Sequence, residues 1–193
     1  VAGGCPQKYV TGAFVEGKLA AQSAAAYADS LADFEHNSLA EKDIVVQVEH
    51  LLIKDNAEAS PFSTEDLEEA MQQVMDEYAG GISTGYRYTE SQLDIASKHI
   101  ARLTKLSHGL RGKDNYQLLK IFELQERLLI CRVLIAHLQA RKETRWHSFA
   151  ENLDYPAKNA AFEGYINSRL EQGNIKIIQR PLVGRGEHYE HQH

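Results

Sequence analysis

The first residues whose types and spacing could form a chemical site are 2–12, "AGGCPQKYVTG", which lead into an alanine-rich stretch. The pattern predicts a glycine-rich loop and then a helix over about residues 11–30. The N–H groups of a first helical turn lack intrahelical partners and carry positive partial charge. Small side chains beside them let a ring or a pyrophosphate approach the backbone closely. The segment indicates a site for an electron-rich ligand, and an ordinary capped helix is the alternative interpretation.

A second segment of interest is "KETRWHSFAENLDYP", residues 142–156. It places the only tryptophan, Trp146, between a basic helix end and an Asp-Tyr-Pro turn. Arg141, Lys142 and Arg145 collect at this helix end, where the helix dipole favours positive charge, so they have a structural explanation that needs no ligand. The alternative interpretation of the whole segment is a helix C-cap covered by an aromatic side chain.

Residues that could bind metal or act as nucleophiles occur without the required spacing. Tail residues His188, His191 and His193 could ligate a metal, but the other histidines are scattered over different helices. Cys5 and Cys131 lie far apart and form neither a disulfide framework nor a zinc motif. No metal site is predicted. In the absence of a Ser–His–Asp set, a Walker loop or a complete dinucleotide fingerprint, no catalytic residue is assigned.

Composition narrows the class of protein. The 193 residues are 43% hydrophobic and 25% charged, and Asp plus Glu outnumber Lys plus Arg by 27 to 21 for a net charge of −6. Without a long basic stripe, nucleic acid is not an expected partner. No apolar run approaches the roughly 20 residues that a membrane span needs, so no direct membrane insertion is expected. The cysteine usage favours a reducing cytoplasm.

Apolar residues three and four apart, preceded by polar caps, predict helices over most of the chain. A third helix begins at Ser63 with Asp66 positioned for a capping box, and a fourth follows Thr89 with Gln92 in the same role. The turn "GGISTG", residues 80–85, lies between them. The expected core stripes of the second, third and fourth helices are Ile44, Val48, Leu51 and Leu52; Leu67, Met71, Val74 and Tyr78; and Leu93, Ala96, Ile100, Leu103 and Leu106.

The longest helix is predicted over about residues 115–144, with residues 128–138 apolar nearly all round and therefore at the centre of a bundle. Residues 161–184 alternate apolar and polar on both sides of "EQGN", which predicts a β-hairpin whose second strand ends at Pro181. The expected fold is mainly α, a helical bundle of about five helices with a small C-terminal β-hairpin. The shared face expected on the longest helix comprises Leu118, Phe122, Leu129, Val133 and Ala136.

Together and in this order, the two segments resemble the FAD flavoprotein subunits of the succinate dehydrogenase and fumarate reductase superfamily, most closely the adenylylsulfate reductase alpha subunits. "KYVTGAFVEGKLAA" is similar to their Lys-aromatic-x-Ser/Thr-Gly-x-x-x-Glu-Gly-Arg-x-Ala segment, with Lys18 replacing the usual Arg. "ETRW" with "DYP" is similar to their C-terminal motif, and "INSRLEQGNIKIIQRPLV" to the strand pair near their C-terminus. The matching residues of the first segment are Lys8, Tyr9, Thr11, Gly12, Glu16 and Gly17.

The resemblance implies FAD as the cofactor of a full-length protein of which this chain is a truncated piece, about the last third. It implies that backbone groups around residues 10–12 face the isoalloxazine ring, while the positive helix end stabilises negative charge on the reduced flavin. The fragment alone is expected to be inactive and not to retain FAD. The cofactor-binding residues assigned on this basis are Gly4, Lys8, Tyr9, Val10, Thr11 and Gly12.

The same resemblance implies a division of the chain and a set of partners. Residues 1–35 end the FAD-binding domain, residues 36–160 form the C-terminal helical bundle, and residues 161–193 form the β-hairpin and a polar tail. The implied partners are the rest of the flavoprotein subunit and an iron–sulfur electron-transfer subunit.

The chain departs from the family's sequence pattern at two places. The substrate therefore stays open: it could be adenylylsulfate, fumarate or succinate, or another compound. Succinate dehydrogenases and fumarate reductases have a Ser-Arg-Gly-Ala-His run after the Thr-Arg pair, whereas this chain reads "TRWHSFAENLDYP". Adenylylsulfate reductases usually place an Arg where Asn152 stands. An alternative of another class also stays open, an independent helical module that binds a protein partner through its alanine face and has no flavin.

Overall fold

The computed structural model describes residues 6–31, 38–52, 60–145 and 150–182. Their Cα positions divide the chain into two compact units, Val1–Val46 and Gln47–His193. The described residues contain five α-helices and two small two-stranded sheets.

The first unit carries α1, Pro6–Ser30, which begins five residues before the predicted residue 11. A proline suits the first position of a helix because its φ is already helical and the N–H it lacks would have no partner there. In the sequence, the glycines just before Pro6 favour a loop, so the proline does not stand out as the first residue of a helix. Helix α2, Ser38–Leu51, spans the boundary between the two units.

In the second unit, α3 (Thr64–Tyr78), α4 (Glu90–Ser107) and α5 (Asn115–Ala140) pack against one another in all three pairs. The apolar stripes predicted for α3 and α4 are confirmed, because their members are buried or packed against the core. The buried residues of this core cluster are Leu67, Met71, Ala96, Ile100, Leu103, Leu110, Ile121, Leu124, Leu128 and Ile135.

Local hydrogen bonds fix where these helices begin. The predicted capping boxes are both present: Ser63 with Asp66 opens α3, and Thr89 with Gln92 opens α4. The Asp114 carboxylate accepts from the N–H of Gln117 at 2.8 Å at the start of α5. Each such cap contributes about 1 kcal/mol. Hydrogen bonds from Ser63 hold the pKa of Asp66 below its usual value.

Helix α5 differs from the prediction in its length and in the face that it buries. It ends at Ala140 instead of residue 144, because Arg141 turns to extended backbone with φ −94° and ψ 94°. Phe122 and Leu129, expected in the core, are each 37% exposed. Leu118 is buried as predicted, and the rest of the buried face is formed by Ile121, Leu124, Leu128 and Ile135.

The two sheets differ in how their strands come together. The predicted hairpin is confirmed: β3, Gly164–Glu171, pairs antiparallel with β4, Asn174–Pro181, through a turn in which Gln172 and Gly173 have φ of 49° and 79°. A parallel pair that was not predicted joins β1, Arg87–Tyr88, to β2, Glu151–Asn152. The second pair brings the loop after α5 against the start of α4.

The predicted fold class, mainly α with about five helices and a C-terminal hairpin, is confirmed. The division at residues 35 and 160 stays a prediction. Within the described ranges, no helix combines the length and the hydropathy needed to cross a membrane.

Candidate functional site

The predicted cofactor-binding residues fall at the start of α1. Gly4 lies outside the described residues. Residues 8–12 belong to the helix that begins at Pro6 and not to a preceding loop. The structure therefore brings these five neighbours together on the first two helical turns, and their contact with a cofactor stays a prediction.

Because α1 begins at Pro6 and not at residue 11, its positive N-terminal end lies five residues earlier than predicted. In an α-helix each N–H donates to the carbonyl four residues earlier, so the N–H groups of residues 10–12 are used inside α1. A helix that begins at Pro6 leaves the N–H groups of Gln7 and Lys8 without an intrahelical partner. The backbone donors available to an electron-rich ligand are thus those nearest Lys8.

The described part of α1 has an open, partly apolar surface. Every side chain of known exposure between residues 13 and 31 is exposed. A Cβ at Gly17 would meet no atom within 4 Å, so the small residue is not needed for packing. The large apolar side chains exposed on this helix are Phe14, Val15, Leu19 and Tyr27.

The second segment contains a buried carboxylate directly after α5. The Glu143 side chain is 0% exposed, and its Oε1 accepts from Nη1 of Arg141 at 2.6 Å and from Nε of Arg145. Its Oε2 accepts from the N–H of Asn159 at 2.9 Å. The carboxylate is therefore surrounded by donors from both sides of the loop.

The two arginines that bind Glu143 also donate hydrogen bonds to the backbone at the start of the hairpin. Arg141 donates to the carbonyls of Phe162 and Gly164, at 3.1 Å each, and Arg145 donates to that of Phe162 at 2.9 Å. Burial alone would raise the pKa of Glu143, but the hydrogen bonds from Arg145, the Asn159 N–H and Arg141 outweigh it, so the pKa is lowered. This Arg-Glu-Arg cluster fastens the end of α5 to the start of β3.

Thr144 is the second fixed point of this segment and is 1% exposed. Its hydroxyl donates to the carbonyl of Tyr155 at 2.9 Å and accepts from the N–H of Asn152 at 3.0 Å. Trp146, the predicted aromatic lid, lies outside the described residues. The described part of "KETRWHSFAENLDYP" is therefore held in place by buried hydrogen bonds.

A polar corner joins the same segment to the start of α4. The Asp154 carboxylate accepts from the N–H of Glu90 at 2.7 Å, and Nζ of Lys142 lies 3.0 Å from Oε2 of Glu90. The hydrogen bond with Glu90 and the charge of that carboxylate raise the pKa of Lys142. Two buried atoms here, Oε1 of Glu90 and Nδ2 of Asn152, have no hydrogen-bond partner in the described chain.

The remaining candidates carry no chemistry in the described residues. Cys131 is a free, half-buried thiol, and burial raises its pKa, as expected for an unreactive cysteine. No group of three or more potential metal ligands occurs within the described ranges. Cys5 and the tail histidines His188, His191 and His193 lie outside them.

Sequence reasoning missed the Arg-Glu-Arg cluster. It assigned Arg141 and Arg145 to the helix dipole and gave Glu143 no role. A carboxylate between two arginines beside an apolar helix was a signal of charge pairing, but the carbonyl partners lie 17 to 23 residues further along the chain and could not be inferred from spacing.

Comparison with known proteins supports the resemblance in both sequence and fold. No protein-family model matches the chain. The alpha subunit of adenylylsulfate reductase from Megalodesulfovibrio gigas is 28% identical over 109 residues, which are 55% of this chain and 16% of that protein.

Solved structures extend the likeness to nearly the whole chain. A structure of adenosine-5-phosphosulfate reductase in complex with sulfite matches with a TM-score of 0.82 and 23% identity, covering 95% of this chain and 31% of that one. Adenylylsulfate reductase from Archaeoglobus fulgidus matches with a TM-score of 0.81, 23% identity and the same coverage. The E. coli quinol fumarate reductase matches with a TM-score of 0.71 and 16% identity, covering 86% of this chain and 28% of that one. At these identities the structures show a shared fold.

The chain therefore spans about a third of the length of the solved structures that it matches. The resemblance inferred from the two motifs is confirmed in sequence for the adenylylsulfate reductase alpha subunit and in fold for fumarate reductase.

Proposed function

We propose that this chain is the C-terminal domain of an FAD-dependent oxidoreductase of the adenylylsulfate reductase, fumarate reductase and succinate dehydrogenase type. The observation that supports it most is the fold match, with a TM-score of 0.82 over 95% of the chain. The 28% identity to an adenylylsulfate reductase alpha subunit adds a likeness in sequence over 109 residues. The reaction and its substrate belong to the whole protein.

In this proposal α1 completes the flavin pocket. The donor chemistry of its first turn fits an electron-rich ring, because free N–H groups at Gln7 and Lys8 lie at the positive end of a helix of 25 residues. The open surface at Gly17 leaves room for close approach. Residues 8–12 with Gly4 would hold the ring, and FAD, when bound, would supply the electron-transfer chemistry. The charge of Lys8 would stabilise negative charge there.

The second unit would support the catalytic subunit. The core of α3, α4 and α5, together with the buried Glu143 and Thr144, fixes the loop after α5 against both the hairpin and the start of α4. A rigid unit of this kind holds a surface in place for the rest of the subunit. The proposed partners are the remainder of the flavoprotein subunit and an iron–sulfur electron-transfer subunit, and the proposed compartment is the cytoplasm.

The proposal is tested in the intact parent protein by Lys8→Ala and Thr11→Val. Both changes are expected to lower the flavin content per protein molecule, measured as flavin absorbance after purification. Lys98→Ala, an exposed cation on α4, is the matched control and should retain full flavin content. Full FAD occupancy in both α1 variants would contradict the proposal.

The exposed apolar residues of α1 also favour a second candidate function. An independent helical module without flavin would bind a protein partner through this helix, burying Phe14 and Tyr27. Phe14→Ala in the parent protein would then abolish binding of a partner protein while the purified protein carries no flavin at all. The flavin measurement separates the two functions.

A further inference from the structure

A groove of about 460 Å³ lies in the second unit, away from the two segments discussed above. One wall is the stretch before α3, with Pro61 and Phe62, and the other is the C-terminal part of α4, with Arg102, Lys105 and Leu106. Ser60 and Gly109 complete the lining. The groove therefore opens between the beginning of one core helix and the end of the next.

Its lining combines an apolar floor with two exposed cations. Phe62 is a large aromatic side chain that is 41% exposed. Leu106, which lines the same groove, is half-buried. The side chains of Arg102 and Lys105 are exposed, and neither has a hydrogen-bond or ion-pair partner in the described part of the chain. No carboxylate is among the described residues that line the groove.

The charge of the groove stands out against that of the chain. The net charge is −6, and α3 alone carries six acidic residues, whereas α4 has no carboxylate after Asp94. Lys105 lies in the last turn of α4, where the helix dipole accounts for a cation. Arg102 lies before that turn, so the dipole does not account for it.

We propose that this groove docks an acidic peptide segment of a partner protein that carries one aromatic or aliphatic anchor residue. The anchor covers Phe62 and Leu106, and flanking carboxylates pair with Arg102 and Lys105. Two cations around a short apolar groove suit a peptide better than a nucleic acid or a membrane, whose binding needs a long basic surface. The inference does not depend on the proposed function, because it uses no flavin and no residue of α1.

The test begins with selection of peptides that bind the full chain from a phage-displayed library of random twelve-residue sequences. Selected peptides are expected to be rich in Asp and Glu around one aromatic or aliphatic residue. In fluorescence polarisation, the double variant Arg102→Glu with Lys105→Glu is expected to weaken the best peptide at least tenfold, and Phe62→Ser to weaken it several-fold. Lys98→Glu, on the same helix but outside the groove, should leave the affinity within twofold. Unchanged thermal midpoints show that the variants are folded.

Several results would overturn the proposal. They are a selection without acidic peptides, binding that the groove variants leave unchanged, and loss of binding to the same extent in Lys98→Glu. Duplex DNA and phosphatidylserine vesicles are tested with the same variants. If either binds through Arg102 and Lys105 more tightly than the peptide does, the groove recognises another class of partner.

Discussion

Nη1 of Arg141 donates to Oε1 of Glu143 at 2.6 Å, and the carboxylate that it meets is closed to solvent. Arg145 contacts the same oxygen from the other side of the loop. Arg141 also donates to the carbonyls of residues 162 and 164, and Arg145 to that of residue 162, so the two arginines link Glu143 to the start of β3. The buried Glu143 carboxylate and its two arginines therefore hold the end of α5 and the hairpin together.

Glu143→Gln is expected to lower the free energy of unfolding by about 1–3 kcal/mol, because the buried carboxylate that accepts from Arg141, Arg145 and the Asn159 N–H is replaced by a neutral amide. Chemical denaturation followed by circular dichroism measures this loss. Glu171→Gln is the control: Glu171 pairs with Lys176 on the exposed face of the hairpin, where such a pair contributes about 0–1 kcal/mol. Equal losses in the two variants would show that burial of Glu143 has no energetic consequence.

The stabilisation by Glu143 should depend on pH in a defined direction. Its pKa in the folded chain is lowered, while a glutamate in the unfolded chain has a pKa of about 4.3. A lowered pKa stabilises the fold above the unfolded value, and this contribution is lost as the pH falls through the folded value. The stability difference between the unmodified chain and Glu143→Gln should thus be constant above about pH 6 and shrink below about pH 4.3. A difference that grows on acidification would contradict the assignment.

The face that α5 buries can be tested by truncating neighbours on opposite sides. Leu124→Ala should cost about 2–5 kcal/mol, because Leu124 is 0% exposed and its loss leaves a cavity. Phe122→Ala should cost less, about 1–2 kcal/mol, since more than a third of this side chain is already exposed. Urea midpoints of both variants measure the difference. A larger loss of stability for Phe122→Ala than for Leu124→Ala would support the buried face predicted from the sequence instead.

Thr144→Val removes a hydroxyl that bridges two parts of the loop. It should cost about 1–3 kcal/mol, because the buried N–H of Asn152 and the partly buried carbonyl of Tyr155 lose their partner. Thr104→Val is the matched control, as its hydroxyl donates to the Ile100 carbonyl within the same helix, α4. Thermal unfolding of both variants provides the comparison, and a small loss for Thr144→Val would mean that the bridge is replaceable.

How much of the fold the sequence predicts depends on how local each signal is. The caps at Ser63 and Thr89 and the turn at Gly173 involve partners a few residues apart, so sequence spacing was sufficient. Residues 128–138 of α5 are apolar nearly all round, and a pattern without a polar side carries no information on which face is buried. The placement of Leu129 in the core is wrong for this reason.

The cofactor-binding residues assigned from the sequence stay a prediction, and the local backbone around them differs from the one expected. The motif around Lys8 and Thr11 was recognisable, but the glycines before it suggested a loop where the chain is already helical from Pro6. The parallel pairing of Tyr88 with Asn152 joins residues 64 positions apart, beyond the reach of any local pattern. The proposed groove depends equally on tertiary packing, because its two walls come from different helices.

The central claim, that the chain is a domain of a larger flavoprotein, is tested most directly on the native gene product. It would be captured from its source cells with an antibody against this chain, and its intact mass and released flavin would be measured together. The account predicts a mass well above 21.7 kDa and FAD in the released fraction. A native mass close to 21.7 kDa with no FAD in the captured material would contradict it.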